Sequence, residues 1–451
     1  MKTPDRTPPP VLVVLLDGLG DRPWPELDGL TPLAAAHTPN LDAFAAASAT
    51  GILHPLGPGR APGTELAHFV LLGYPEQAFP GRAVFEAAGA GVALAPGQVA
   101  LHTILVTVRR EAGGTLTIVD RYPAGGVERA PELFAAIAEF EHDGVSMQLH
   151  HTRGEQGILV LDGPASEDVT DTDPHNNGWP AGTVHALRDA REPESAERTA
   201  RALTAYLHHA YAELRRTSDM QTGDSTTPGT AAPDDGTSPF LLLKWVARKT
   251  ALPPFGEHTG MNGCIVSAAG VLGGLALELG IEHRRVDLGY DLAADMRTRI
   301  ETAAACFAEG AEFVLAHTKA PDEAGHLKDP LAKRDAIAAI DEGLAGLVER
   351  RGLPPDAIVI VTADHGTPSG TTLIHSGDPV PLAVLAGAAR PDSVPAFDDL
   401  ACAGGSLGHM QGSDFMPMGL NWRGTARYTG GRLATHTGLH WPVDYEPFRV
   451  E

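Results

Sequence analysis

Short runs of aliphatic residues alternate along this chain with alanine-rich stretches that have helical periodicity. The first run covers residues 11–16 and ends at Asp17-Gly18, as the buried strands of parallel sheets do. Further runs of this kind lie at 240–246, 313–316 and 357–362, and helical stretches lie at 266–279, 292–308 and 331–350. The alternation predicts an α/β fold with a mainly parallel sheet.

Between about residues 90 and 235 the pattern changes to shorter alternating strands and one long helix candidate at 194–216. Residues 217–238 contain no large apolar side chain except Met220 and are rich in Thr, Gly, Pro and Asp, which is typical of a flexible linker. We therefore expect three parts: a core made of residues 1–89 and 239–451, an inserted smaller α/β domain of residues 90–216, and a linker of residues 217–238.

The composition supports two domains and restricts the partners. A chain of 451 residues with 43% hydrophobic residues exceeds the size at which one core usually keeps growing. Its 34 Lys and Arg against 57 Asp and Glu give a net charge of -23, which repels nucleic acids and anionic membranes. We expect no partner of either kind, and an anionic substrate must be attracted by local cations or metal ions.

Cysteine usage and the N-terminal residues favour a cytoplasmic location. Cys264, Cys306 and Cys402 are odd in number and far apart in sequence, so they do not predict a disulfide framework. Residues 1–10 contain no signal-peptide core, and no apolar run approaches the roughly 20 residues that span a bilayer. We expect a soluble cytoplasmic protein.

Acidic and histidine side chains follow three of the predicted strands. Asp17 follows the first run, Asp322 and His326 follow the run at 313–316 with i, i+4 spacing, and Asp364-His365 follow the last run. The carboxyl ends of parallel strands are common ligand sites. A mixed set of carboxylates and imidazoles suits Mn or Zn better than Mg. Each motif alone also fits a capped helix start or a loop, but their repetition at strand ends favours a metal site.

A hydroxyl residue lies in a position that suits either capping or catalysis. Thr64 follows Gly63 just before a helical stretch. A threonine there can simply cap the helix. Helix N-termini also bind anions, and a hydroxyl at that point can act as a nucleophile when a metal lowers its pKa.

Several motifs together resemble a known family. They are, in order, DGLGDRP from residue 17, TPLAAAHTPNL from 31, GTELAH from 63, LGY from 72, FEAAG from 85, TDPH from 172, KAPDEAGH from 319 and HSGDP from 375. Over roughly residues 10 to 420 the chain is similar to the archaeal-type, cofactor-independent (2,3-bisphosphoglycerate-independent) phosphoglycerate mutases of the alkaline phosphatase superfamily.

The resemblance implies a core like that of alkaline phosphatase, a smaller inserted α/β cap domain, and phosphoryl transfer on a small phosphorylated acid. It also implies two divalent metal ions, Mn or Zn. The first would be held by Asp322, His326 and His375, and the second by Asp17, Thr64, Asp364 and His365.

Within that resemblance Thr64 would carry the phosphoryl group transiently while phosphoglycerate reorients. The pair Asp120-Arg121 matches the substrate-binding Asp-Arg of the cap, and Lys319 is a further candidate contact for phosphate or carboxylate. These assignments predict interconversion of 3-phosphoglycerate and 2-phosphoglycerate.

Some positions depart from the family pattern. Thr64-Glu65 stands where the family usually has Ser-Asp, and His102 stands where we expect arginine. These changes keep open a paralogue that transfers or hydrolyses a phosphoryl or phosphonyl group on another small acid, as in phosphonate natural-product biosynthesis. A non-catalytic metal-binding paralogue is disfavoured because every ligand-type position is retained.

Overall fold

The computed structural model describes residues 7–124, 126–222, 236–268, 270–432, 435, 438–441 and 448–450, with the backbone alone at 219–222. In chain order the strands of this part of the chain are β1 (Val11–Leu16), β2 (Ala49–His54), β3 (Val99–Arg110), β4 (Leu116–Asp120), β5 (Glu139–His142), β6 (Val145–Arg153), β7 (Gln156–Asp162), β8 (Thr237–Arg248), β9 (Gly263–Ser267), β10 (Glu282–Arg285), β11 (Phe313–Thr318), β12 (Ile358–Thr362), β13 (Val380–Leu385) and β14 (Gly408–Gln411).

The α-helices of the described residues lie between Pro32 and Arg423. They are α1 (Pro32–Ala35), α2 (Pro39–Ala46), α3 (Thr64–Leu71), α4 (Arg82–Gly89), α5 (Ala130–Ala136), α6 (Pro193–Thr222), α7 (Phe255–Thr259), α8 (Val271–Glu278), α9 (Leu292–Ala308), α10 (Ala320–His326), α11 (Pro330–Gly343) and α12 (Gly412–Arg423). Among the described residues, none of these helices is both long and apolar enough to cross a membrane.

The chain divides into two compact units. Unit 1 comprises Met1–Phe79 and Leu252–Glu451, and unit 2 comprises Pro80–Ala251. Residues 80–89 and 239–251, which the sequence pattern placed in the core, therefore lie in unit 2. Most of the predicted linker 217–238 lies outside the described residues, and α6 reaches further into it than expected.

Unit 1 is an α/β unit built on a mixed eight-stranded sheet with the order β10-β9-β11-β1-β12-β13-β2-β14. The five strands from β10 to β12 run parallel, whereas β13 is antiparallel to both of its neighbours. Every residue of β1 is buried, because this strand pairs with β11 and β12 on its two edges. A continuous aliphatic run is what such a doubly covered strand requires.

Unit 2 contains an antiparallel six-stranded sheet. Its order is β4-β3-β7-β6-β5. Strand β7 pairs with residues 99–104 of β3 and β4 pairs with residues 107–110, whereas β8 pairs with β3 along most of its length. The long helix α6 packs on this sheet, where Leu203, Tyr206 and Leu214 join the apolar core of the unit.

The strand at 240–246 is an exception to the predicted parallel sheet. These residues form most of β8, which is antiparallel to β3 in unit 2. The side chains of Leu241, Leu242 and Leu243 are all fully buried. An antiparallel strand that is buried on both faces shows the same unbroken apolar run as a parallel strand, so the run alone does not distinguish them.

Candidate metal centre and active site

The polar residues that follow three adjacent strands of unit 1 lie together. In the sheet order β11-β1-β12 these strands are parallel, so their carboxyl ends meet at one edge. Asp17 follows β1, the segment from Lys319 to His326 follows β11, and Asp364-His365 follow β12. Gly18 has a φ of 66°, and a side chain there would approach the Asp322 backbone within 2.8 Å. This position between the ends of two strands therefore needs glycine.

The first ligand group consists of Asp17, Asp364 and His365, all fully buried. Each carboxylate has one oxygen engaged: Asp17 Oδ2 accepts from His317 Nε2 at 2.9 Å, and Asp364 Oδ1 accepts from the Gly18 amide at 3.1 Å. The other oxygens, Asp17 Oδ1 and Asp364 Oδ2, lie 3.2 and 3.3 Å from His365 Nε2.

The proton on His365 can be assigned from its other nitrogen. The Thr367 hydroxyl lies 2.6 Å from Asp322 Oδ1 and 3.2 Å from His365 Nδ1. Since a carboxylate can only accept, Thr367 donates to Asp322 and accepts from His365 Nδ1–H. Burial lowers the pKa of His365 to about 3, so the ring is neutral and Nε2 presents a lone pair.

The second ligand group consists of Asp322, His326 and His375. His326 Nε2 lies 3.2 Å and His375 Nε2 lies 3.6 Å from Asp322 Oδ1. His375 Nδ1 donates to the Pro62 carbonyl at 2.7 Å, which leaves its Nε2 as the lone-pair nitrogen. Burial and the nearby Asp17 charge would raise the pKa of Asp322, but the His326 hydrogen bond and Lys319 outweigh them and hold that pKa low.

This donor set fits divalent cations. Among the described residues, Asp17 Oδ1 and Asp364 Oδ2 are buried without a hydrogen-bond partner, and both face the lone pair of His365. Burial and the charge of Asp17 raise the pKa of Asp364 well above its usual range. Bare carboxylate oxygens and an imidazole lone pair repel one another unless a cation lies between them. Mixed oxygen and nitrogen donors are those that Mn and Zn accept.

Thr64 lies beside the first ligand group. It is the first residue of α3, it is buried, and its Oγ1 is 3.3 Å from His365 Nε2. One turn later His68 donates from Nδ1 to the Thr64 carbonyl at 2.7 Å. His68 thereby fixes the backbone that carries the hydroxyl, and burial lowers the pKa of His68 to about 3, so that it stays neutral.

Lys319 links the carboxylates of the two groups. Its Nζ lies 2.7 Å from Asp322 Oδ2 and 3.4 Å from Asp17 Oδ2. Burial opposes the charged form, yet both carboxylates raise the pKa of Lys319 above its usual range. The side chain is 43% exposed, so an ammonium charge stands at the solvent side of the ligand groups.

Sequence analysis gave no role to His317, whose Nε2 donates to Asp17 Oδ2. The carbonyl of His317 accepts from Arg299 Nη1 at 2.7 Å, and Arg299 is fixed by Asp295 through bonds of 2.7 and 3.0 Å. Arg299 is buried although it carries a full charge. The i, i+4 spacing of Asp295 and Arg299 on one helix could have predicted this ion pair from the sequence.

Lys333 is a second buried cation that the sequence reading missed. Its Nζ donates to the carbonyls of Gly18, Gly20 and Thr367 at 2.8 to 2.9 Å and lies 3.1 Å from Asp21 Oδ2. It therefore ties the loop after β1 to the loop after β12, the two loops that carry Asp17 and His365.

We expect Lys333→Met to destabilise unit 1 by about 3–5 kcal/mol, because it removes the cation that pairs with the buried Asp21 carboxylate and a donor shared by three carbonyls. Urea unfolding followed by circular dichroism measures the change. Asp21→Asn in the Lys333→Met background should recover part of the loss. Equal stability of Lys333→Met and the unchanged protein would contradict this role.

Asp120 and Arg121, the predicted substrate residues, lie in unit 2. Asp120 ends β4 and is exposed. Arg121 forms a two-pronged ion pair with Asp173, with both nitrogen–oxygen distances at 2.8 Å, and Lys244 Nζ lies 3.1 Å from the same carboxylate. Burial opposes the charge of Asp173, but Arg121 and Lys244 outweigh it and hold the pKa of Asp173 low. This cluster brings two cations to one buried carboxylate.

Trp245 beside this cluster has an unusual backbone. Its φ is 57°, a left-handed conformation that a bulky residue rarely adopts. The guanidinium of Arg82 lies 3.7 Å and the ammonium of Lys244 lies 4.1 Å from the indole centroid. His102, where we expected arginine, packs 5.0 Å from the same ring, and burial lowers its pKa to about 3. Arg82, Lys244 and His102 thus pack around the strained tryptophan.

Comparison with known proteins supports one family. The family model for 2,3-bisphosphoglycerate-independent phosphoglycerate mutase matches residues 45–218. The phosphoglycerate mutase of Methanopyrus kandleri is 34% identical over 410 residues, which cover 89% of this chain and 93% of that protein. That of Methanoculleus marisnigri is 33% identical over 417 residues, which cover 90% of this chain and 96% of that protein.

A solved structure agrees with these sequence relatives. The cofactor-independent phosphoglycerate mutase of Thermoplasma acidophilum superposes with a TM-score of 0.59 at 28% identity, covering 92% of this chain and all of that one. The match extends along nearly the full length of both chains and is not confined to one domain. This chain is therefore a member of the archaeal-type 2,3-bisphosphoglycerate-independent phosphoglycerate mutase family, and it is an isomerase.

Proposed function

We propose that the chain interconverts 3-phosphoglycerate and 2-phosphoglycerate by metal-dependent phosphoryl transfer through a phosphothreonine at Thr64. The observation that carries this proposal is the position of the Thr64 hydroxyl, 3.3 Å from His365 at the first turn of a helix. A buried hydroxyl beside the unpaired carboxylate oxygens of the first ligand group is suited to nucleophilic attack on a phosphoryl group.

Two divalent ions would be held by the two ligand groups, with Thr64 Oγ1 added to Asp17, Asp364 and His365. Mn and Zn are the candidates that the donor atoms favour. When bound, such ions lower the pKa of a hydroxyl ligand and neutralise charge on phosphoryl oxygens during in-line displacement.

Thr64, His68 and Lys319 have separate roles in the transfer. Thr64 Oγ1 forms the bond to phosphorus as the bond to the glycerate oxygen breaks, and the proton that Thr64 loses ends on that glycerate oxygen. In the second transfer the other glycerate hydroxyl attacks the phosphorus, the bond to Thr64 Oγ1 breaks, and Oγ1 regains a proton. His68 holds the carbonyl of Thr64 and so keeps the hydroxyl in place. Lys319, which stays charged, supplies a donor to an anionic substrate group at the exposed side.

Unit 2 is proposed to act as the substrate-binding cap. Arg121 and Lys244 share the single carboxylate of Asp173, so their donors are not fully used by it. Arg121 uses one N–H of each Nη for Asp173, and its remaining N–H donors can bind a carboxylate or phosphate of the substrate. Asp120, exposed at the end of β4, is available to accept from a substrate hydroxyl.

The direct test is incubation of 3-phosphoglycerate with the protein and Mn²⁺, followed by phosphorus NMR. The proposal expects 2-phosphoglycerate at equilibrium with 3-phosphoglycerate and little free phosphate. Free phosphate as the main product would instead establish a hydrolase, and an unreacted substrate with metal-loaded protein would reject phosphoglycerate as the substrate.

Replacing Arg121 tests the substrate-binding role separately from the metal centre. Arg121→Ala should raise the KM for 3-phosphoglycerate roughly 10- to 100-fold, since a charge-assisted contact contributes about 1.5–3 kcal/mol. Steady-state kinetics measure KM, and elemental analysis should find unchanged metal content. Arg109→Ala, which removes an exposed ion pair with Glu111 in the same unit, is the control. An unchanged KM in Arg121→Ala would remove Arg121 from the substrate site.

A second candidate is transfer or hydrolysis of a phosphoryl or phosphonyl group on another small acid. His102 favours it, because this buried ring is neutral where we expected a guanidinium. One cation fewer reduces the affinity for phosphoglycerate, which carries both a carboxylate and a phosphate. The NMR assay repeated with small phosphonates and other phosphorylated acids distinguishes the two candidates by their relative kcat/KM.

A further inference from the structure

Two of the three cysteines are in contact in unit 1, although 42 positions separate them in the sequence. Cys264 lies on β9 and Cys306 lies in the last turn of α9, and their sulfur atoms are 2.9 Å apart. Both are free thiols and both are buried, with exposures of 0% and 2%. Helix α9 packs against β9, so the contact joins a helix to the strand beneath it.

The surroundings distinguish the two thiols. The hydrogen bond with Cys264 lowers the pKa of Cys306, and the charge of Arg284 acts in the same direction. The same hydrogen bond raises the pKa of Cys264, and burial adds to this effect. Cys306 is therefore the thiol that more readily supplies a thiolate, and Cys264 is the adjacent partner able to resolve an oxidised sulfur.

We propose that Cys264 and Cys306 form an oxidation site that closes into an internal disulfide in the presence of a peroxide. The sulfur atoms already touch, so bond formation needs only a small adjustment of two side chains. Burial restricts the oxidant to a small molecule, because a bulky disulfide such as oxidised glutathione cannot reach either sulfur in the folded chain.

The reaction balances with hydrogen peroxide as the two-electron oxidant. The Cys306 thiolate attacks one peroxide oxygen, the O–O bond breaks, and the leaving hydroxide takes the Cys306 proton to become water. Cys264 then attacks the sulfenic sulfur of Cys306. The S–S bond forms as the S–O bond breaks, and the second hydroxide leaves as water with the proton of Cys264.

The disulfide would fasten α9 to the sheet of unit 1. Helix α9 also carries Arg299, which holds the His317 carbonyl near the metal centre. Closing a loop of this length restricts the unfolded chain and raises the midpoint of thermal unfolding of unit 1 by roughly 3–8 °C.

The test treats the folded full-length protein with a small excess of hydrogen peroxide, alkylates remaining thiols after denaturation, and maps peptides without reduction. The expected result is a Cys264–Cys306 cross-linked peptide, a loss of about 2 Da in intact mass, and alkylated Cys402. Dithiothreitol should reverse the cross-link and the rise in unfolding temperature. The buried Cys402 serves as the internal control.

Two variants sharpen the outcome. Cys306→Ser should give no cross-link, whereas Cys402→Ser should cross-link as the unchanged protein does. Alkylation of both Cys264 and Cys306 after peroxide treatment, or conversion of Cys306 to a sulfinic acid without cross-linking, would overturn the proposal. Cross-linking by oxidised glutathione at the same rate as by peroxide would overturn the restriction to small oxidants.

Discussion

Thr64→Ala should lower turnover of 3-phosphoglycerate by at least about 10³-fold while leaving the fold intact. The variant lacks the hydroxyl that would form the covalent intermediate, and no other described hydroxyl lies within hydrogen-bond distance of His365 Nε2. Alanine is a good helix former, so the first turn of α3 should persist. Steady-state rates measure the turnover, circular dichroism measures the fold, and elemental analysis should find most of the metal retained.

Thr64→Ser is the matched control for this prediction. It retains the hydroxyl and removes only a methyl group, so it should keep turnover within about tenfold of the unchanged protein. Substrate labelled with radioactive phosphate, quenched during turnover, should label the unchanged protein and Thr64→Ser but not Thr64→Ala. Turnover by Thr64→Ala at the original rate would exclude Thr64 as the nucleophile, whatever the family assignment.

The central part of unit 1 could be predicted from sequence because its signals are local. The run at residues 11–16 predicts a buried strand, and β1 has those bounds. Prediction from the sequence pattern fails where the structure depends on which strands pair with one another. It assigned 240–246 to the parallel sheet, yet these residues pair antiparallel with β3. It also made 266–279 one helix, whereas the chain forms β9 and then the shorter α8.

The grouping of Asp17, Asp322 and Asp364-His365 could be predicted from the sequence because each lies shortly after a strand, and parallel strands bring their carboxyl ends together. The structure brings Asp17, Asp364 and His365 together, and likewise the group around Asp322. The supporting role of Lys333 could not be predicted, since Lys333 acts through backbone carbonyls of distant loops. A lysine within an ordinary helical pattern carries no sign of such contacts.

Asp364→Asn should stabilise the folded protein when metal is absent and destabilise it when metal is present. In metal-free protein the variant should be more stable than the unchanged chain by about 1–3 kcal/mol. The amide keeps an oxygen that accepts from the Gly18 amide, and its NH₂ group can donate to the lone pair of His365, which Asp364 Oδ2 faces at 3.3 Å. The substitution also removes a buried charge whose repulsion by Asp17 raises the pKa of Asp364.

With saturating Mn²⁺ or Zn²⁺ the order should invert. Metal binding to the folded state adds about 4.1 kcal/mol at a free concentration about 1,000 times the Kd, which exceeds the advantage of the metal-free variant, and the variant loses most of this gain with one of its anionic ligands. Urea unfolding with chelator and with metal measures both terms, and elemental analysis should show reduced metal content in Asp364→Asn.

Asp399→Asn is the appropriate control for this inversion, since Asp399 is held by Thr31 and belongs to neither ligand group. Its change in stability should be the same with and without metal. Full metal occupancy in Asp364→Asn would contradict the ligand assignment. A metal-free variant less stable than the unchanged chain would mean that the carboxylates of Asp17 and Asp364 do not repel each other in the folded state, and the argument for a cation between them would lose its electrostatic basis.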